Sequence, residues 1–150
     1  LGEVVPPRER VDGMRPEGDE VGGEAEDPDA VLGVPAQDRL ERLQQAQNAH
    51  DLEAFVACFA PDYQSDQPLH PDRAFQGAEQ VRKNWSTIFH DIPNFHAELL
   101  RSSIEGDTVW GEWYWFGTRR EGTRFEMRGV IIFGIQADQI KWARLYVEPV

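Results

Sequence analysis

The apolar positions change period along the chain, and the changes mark its elements. Residues 1 to 37 show no sustained period. From Leu40 the spacing turns helical, with Leu40, Leu43 and Ala46 marking a short first helix and Asp38 placed as its N-cap. Asn48-Ala49-His50 interrupts it. Leu52, Phe55, Val56 and Phe59 then follow the i, i+3, i+4, i+7 rule of an amphipathic helix, ended by Pro61-Asp62. Tyr63 to Gln67 reads as a short strand closed by Pro68. A third helix carries the stripe Ala78, Val81, Trp85, Ile88 and Phe89, and Asp91-Ile92-Pro93-Asn94 stops it. Beyond Pro93 the period becomes two. The strands fall at 95–104, 108–117, 123–135 and 139–147, joined by short polar connections that imply an antiparallel meander. Three helices followed by a run of strands predict an α+β domain: three N-terminal helices on a curved, mainly antiparallel sheet that forms a cone-like pocket.

The strand faces sharpen this picture. In the second long strand Val109, Gly111, Trp113 and Trp115 point one way, and Trp110, Glu112, Tyr114 and Phe116 the other. In the last strand Ala143, Leu145 and Val147 oppose Trp142, Arg144 and Tyr146. A half-exposed antiparallel sheet should show one polar face. Here both faces carry large apolar side chains, so each needs a cover. The helices supply one, and a second copy of the chain is expected to supply the other, making a homodimer through the outer sheet face.

Composition divides the chain at the same place. Residues 1–37 hold ten acids and three arginines, a net of −7 out of the total −12. Residues 1–35 contain eleven Gly or Pro and no aromatic, whereas all 16 aromatics lie at Phe55 or later. A segment with so little to bury does not offset its ordering entropy, and 1–37 is expected to be a disordered acidic tail, with the folded domain spanning 38–150. The acidic balance and the lack of a basic stripe argue against nucleic acid and anionic membrane as partners. No run is apolar enough to span a bilayer, and no signal-peptide core is present, so a cytoplasmic protein is expected. The chain opens on Leu1, which leaves its true start open. Cys58 is the single cysteine and lies in an apolar helical pattern, where it reads as a small buried hydrophobe.

The order of helix, helix, short strand, helix and meander resembles the nuclear transport factor 2-like superfamily, and within it the SnoaL-like proteins. Four segments carry the resemblance: NAHDLEAFVACFAPD for the helix-to-strand passage, FQGAEQVRKNW for the Gly-initiated third helix, MRGVIIFGIQADQI for the fourth-strand hairpin, and KWARLYVEPV for the closing strand. It covers residues 38 to 150. The superfamily includes polyketide cyclases, steroid isomerases, epoxide hydrolases, dehydratases and non-catalytic binding modules, so fold does not fix function. Limonene epoxide hydrolases look similar in the second long strand and the last strand, where they carry an Arg and two Asp. The matching positions here are Trp113, Trp115 and Leu145. Ketosteroid isomerases carry a Tyr and two Asp, and the matching positions here are Leu43, Gln67 and Ile131. The catalytic residues of both families are therefore replaced.

The remaining candidates are few. Asp66, one residue before the isomerase-like position, becomes an acid–base candidate if a one-residue shift turns it inward. His70, in a loop expected near the pocket mouth, is placed as its catalytic partner. Tyr63, Gln67, Trp113, Trp115, Met127, Ile131 and Leu145 are assigned to the pocket, with Tyr63 as a phenol donor at its rim. His50, His90 and His96 show no ligand spacing, so no metal and no other cofactor is expected. Two functions stay open. One is cofactor-free proton transfer on a small apolar molecule, of isomerase, cyclase or dehydratase type. The other is a non-catalytic binding or dimeric interaction module with the same pocket. A carboxylate within hydrogen-bond reach of a second polar pocket group would favour the first, and a wholly apolar cavity the second.

Overall fold

The computed structural model describes residues 36–150, with side chains from Asp38 onward. The tail expected over 1–37 lies almost wholly outside the described residues. The elements are α1 (Ala36–Ala49), α2 (Leu52–Val56), β1 (Phe59–Asp66), β2 (Phe75–Gln76), α3 (Ala78–Asp91), β3 (His96–Glu105), β4 (Thr108–Thr118), β5 (Arg124–Gln136) and β6 (Gln139–Pro149). One sheet runs in the order β2-β1-β6-β5-β4-β3, and every pairing is antiparallel except β1 with β6. The α+β layout and the meander thus agree with the pattern of apolar positions.

Several boundaries differ from the sequence reading, each for a local reason. The first helix begins at Ala36, which puts Asp38 in its first turn, where a carboxylate suits the positive end of the helix dipole. Asn48 does not interrupt that helix. The break comes at His50, whose φ is 54°. Asp51 then caps α2, its side chain accepting the Ala54 N–H at 3.0 Å. That helix stops at Val56, earlier than the apolar stripe implied, because Phe59 and Ala60 leave the helix and enter β1. Pro61 lies inside this strand. The pairing of β1 with β6 shifts register between Phe59 and Gln64, and an exposed position beside such an irregularity is where a strand tolerates proline.

The edge strand β3 is closed by α1. Asn48 donates its Nδ2–H to the Ala97 carbonyl (3.0 Å) while its Oδ1 accepts the Ala97 N–H (2.7 Å). One turn earlier, Gln44 Oε1 accepts the Leu99 N–H at 2.6 Å. The two amides stand in for a neighbouring strand and leave fewer free backbone groups to pair with another chain. The core lies between this helical layer and the sheet, around Leu40, Phe55, Val81, Val109, Trp113 and Ile140. On the sheet, Gly129 has φ 153°, and a Cβ there would fall 2.0 Å from the Tyr146 carbonyl oxygen. Only glycine lets β5 and β6 approach so closely at this bend.

Replacing Asn48 by Ala removes both hydrogen bonds to Ala97 and should cost about 1–2 kcal/mol of stability. Urea unfolding of N48A measures this, and an unchanged midpoint would show that the clamp carries no net energy.

Candidate functional site

The site is a cavity of about 180 Å³ between the helices and the inner face of the sheet, partly open to solvent. From α1 come Leu43 and Gln47, from α2 Phe55, and from α3 Val81, Asn84, Trp85 and Ile88. The sheet contributes Phe59, Tyr63 and Ser65 of β1, Phe75 of β2, Trp115 of β4, Ile131 and Phe133 of β5, and Ala143 and Leu145 of β6, with Gln67 at the end of β1. Seven of the seventeen lining residues are aromatic, and several of their rings meet edge to face. Trp85 meets Trp115 at 5.5 Å between ring centroids with an interplanar angle of 83°, and Phe59 meets Tyr63 at 4.7 Å and 71°. Such edge-to-face packing holds rings in fixed orientations and gives the cavity a defined shape.

The polar groups are all neutral. Tyr63 and Ser65 are buried and alternate with Gln67 along one side of β1. Burial pushes the Tyr63 phenol up to about 12, against a smaller opposing effect from its hydrogen bond with Ser65. The hydroxyl therefore stays protonated through the neutral range and acts as a donor. Asn84 Oδ1 accepts from Gln80 Nε2 at 2.9 Å. Gln47 is only 1 % exposed. Among the described residues, no carboxylate or imidazole lines the cavity, and no group of three or more His, Cys, Asp or Glu is suited to a metal ion.

Of the nine residues assigned from sequence, Tyr63, Gln67, Trp115, Ile131 and Leu145 line this cavity. The other four do not. Asp66 sits opposite Arg144 in the β1–β6 register, and the inward parity belongs to Tyr63 and Ser65, so the one-residue shift that would bring Asp66 inside does not occur. His70 instead contacts both carboxylate oxygens of Glu148 at 3.0 Å. Trp113 has the inward parity, but α1 packs over that part of β4 and seals it in the core at 0 % exposure. Met127 lies across the Gly129 bend from Ile131 and packs against the rim of the core. The residues missed are instructive. Gln47 lies at i+4 from Leu43 and Asn84 at i+3 from Val81, so both are polar residues at apolar-stripe positions, which was the available signal.

A helix-covered, curved sheet with an internal cavity of this kind defines the class of nuclear transport factor 2-like proteins. The family model for the SnoaL-like domain matches residues 40–144, and the chain belongs to that family. Solved structures show the same fold at low identity. A protein from Mycobacterium tuberculosis, Rv0760c in complex with estradiol-17beta-hemisuccinate, is 20 % identical with a TM-score of 0.65, over 75 % of this chain and 92 % of its own. A computationally designed 17-OHP binder is 19 % identical with a TM-score of 0.66, over 77 % of this chain and 98 % of its own. A protein from Jannaschia sp. CCS1 assigned to the SnoaL-like polyketide cyclases is 18 % identical with a TM-score of 0.65, over 75 % of this chain and 85 % of its own. No curated protein matches the sequence.

The buried phenol has a pH consequence. The Tyr63 pKa is raised above the unfolded value of roughly 10, so its contribution is fully present below that pH. It is lost as pH rises toward about 12, because only the unfolded chain releases the proton early. The difference in stability between the unmodified chain and Tyr63→Phe should therefore narrow or reverse across that window. Parallel unfolding curves of the two proteins from neutral pH upward provide the check, and a constant difference would contradict the burial of the hydroxyl.

Proposed function

We propose that this chain binds a small, neutral, mainly apolar ring compound in its cavity. The observation that carries the reading is a cavity with aromatic walls and only neutral polar groups. A charged ligand would lose its hydration and meet no counter-charge there. The volume slightly exceeds the roughly 150 Å³ that suffices for benzene in an apolar protein cavity, which suits one or two rings. The ligands named for two structural neighbours, estradiol-17beta-hemisuccinate and 17-OHP, belong to those proteins and support an apolar ring compound as the class. Binding is favoured over proton transfer because a base is missing from the lining. With Asp66 outside it and His70 held by Glu148, no carboxylate or imidazole among the described residues stands in the wall to take a proton from a bound molecule.

Neutral toluene and naphthalene should raise the thermal midpoint saturably, while benzoate should not. At ligand tenfold above its Kd, the linkage amounts to about 1.4 kcal/mol. If no neutral ring compound binds in calorimetry or in a thermal scan, the cavity is only a packing defect.

The second part of the proposal is a homodimer through the outer sheet face. It is supported by Trp110, 44 % exposed, and by the half-buried Tyr114, Phe116, Ile132, Trp142 and Tyr146 on the same face. Covering them with a two-fold mate removes apolar surface from water. Trp110→Glu should shift the molecule toward monomer in light scattering coupled to gel filtration. An unmodified chain that runs as a monomer at tens of micromolar would end this part of the reading.

A further inference from the structure

We propose that the cavity selects for a hydroxyl: Gln47 and Trp115 hold an acceptor and a donor for a neutral, hydroxylated ring compound, of which phenol is the smallest example. This deepens the binding reading above and rests on it. Gln47 reaches the cavity from α1, and its Oε1 is buried with no hydrogen-bond partner among the described residues. Trp115 reaches it from β4, and its Nε1–H is in the same state. Buried polar atoms without partners are rare because each forfeits its hydration for nothing. Two on residues that line one cavity, of opposite kind, offer a hydroxyl both halves of its hydrogen bonding.

Two other polar wall groups have their oxygens engaged: Asn84 Oδ1 accepts from Gln80, and Gln67 Oε1 accepts from Arg73 at 3.4 Å. Trp113 also has an unpaired Nε1–H, but it does not line the cavity. The choice of ligand group then follows from elementary chemistry. A hydroxyl donates and accepts through one atom. A carboxylate only accepts and would enter charged, and an alkylamine would enter as an ammonium that only donates. Both unpaired atoms are shielded from solvent, so pairing needs a small adjustment of the wall, in which Gln47 is the side chain free to turn. The terminal torsion of glutamine is soft, and the carboxamide can turn to present its oxygen to an incoming group.

Phenol and toluene provide the test, since they share a ring and differ by hydroxyl against methyl. Calorimetry on the full chain should show phenol binding about tenfold tighter than toluene, as expected for one net hydrogen bond in a shielded site. Gln47→Met and Trp115→Phe should each bring that ratio toward one, whatever each does to toluene binding itself. Should either variant fold poorly, the unmodified protein gives a second reading by NMR. Phenol, and not toluene, should shift the Trp115 indole Nε1–H resonance downfield. Equal affinities for the two compounds, or an indole resonance indifferent to phenol, would overturn the inference while leaving the pocket reading intact. Variants that keep the phenol preference would overturn the inference as well, since neither side chain would then be its source. Failure of both compounds to bind would remove the pocket reading itself.

Discussion

The free edge of β3 sets the geometry of everything inside the domain. An open sheet must do something with the unpaired backbone groups of its outermost strand, and here α1 meets them with amide side chains from Gln44 and Asn48. Those residues are one turn apart, so they fix the helix in rotation as well as in position. At about 100° per residue, turning Gln44 and Asn48 toward the strand edge directs Leu43 and Gln47 to the adjoining face. That face is a wall of the cavity. The same helix lies over β3 and β4 and closes the core around Leu40 and Trp113. The clamp thus decides which part of the sheet is filled and which part is left as a space.

That space differs in composition from the rest of the interior. The core is packed from apolar side chains, whereas five residues of the cavity lining are polar and neutral. Local departures of this sort tend to mark sites used for something besides stability. The charge distribution sharpens the contrast. Residues 38–150 carry a net of −5, yet no ionised side chain reaches the cavity wall. An acidic exterior repels anions at a distance, and a lining without a counter-charge disfavours an ion of either sign.

The fold was legible because it is written in periodicity. Helical spacing up to Phe89 and alternation after Pro93 placed the three helices and the four long strands to within a few residues. The exceptions came from interactions at a distance. Asn48 looks like a breaker only until its partner, Ala97 on β3, is known. Phe59 fits a helical stripe equally well until β6 offers it a strand to join. The site was harder to read because strand parity gives the face and not the depth. Trp113 and Trp115 share a parity, but α1 covers one and the cavity meets the other. Attention to titratable groups also favoured Asp66 over its neighbour Ser65, whose modest hydroxyl holds the inward position. Gln47 and Asn84 were visible as polar residues on apolar stripes. Their meaning depended on a cavity that no sequence period encodes.

The outer face of the sheet obeys a different constraint. Part of it is satisfied within the chain. The Tyr114 hydroxyl donates to Glu126 at 2.6 Å, which, together with Arg124, holds that carboxyl below its usual range. The Arg128 guanidinium stacks 4.0 Å from the centroid of the same ring. Trp142 lies so close over Gly134 that a Cβ there would fall 2.0 Å from its indole. These contacts give Tyr114 and Trp142 partners of their own and border one end of the face with charge. At the other end, next to the β3–β4 hairpin, Trp110 is exposed. Apolar exposure therefore rises along the sheet from the charged end toward the hairpin. A two-fold mate would gain most near the hairpin, where burial is not already supplied, and would gain little over Tyr114, whose charged neighbours would have to be dehydrated.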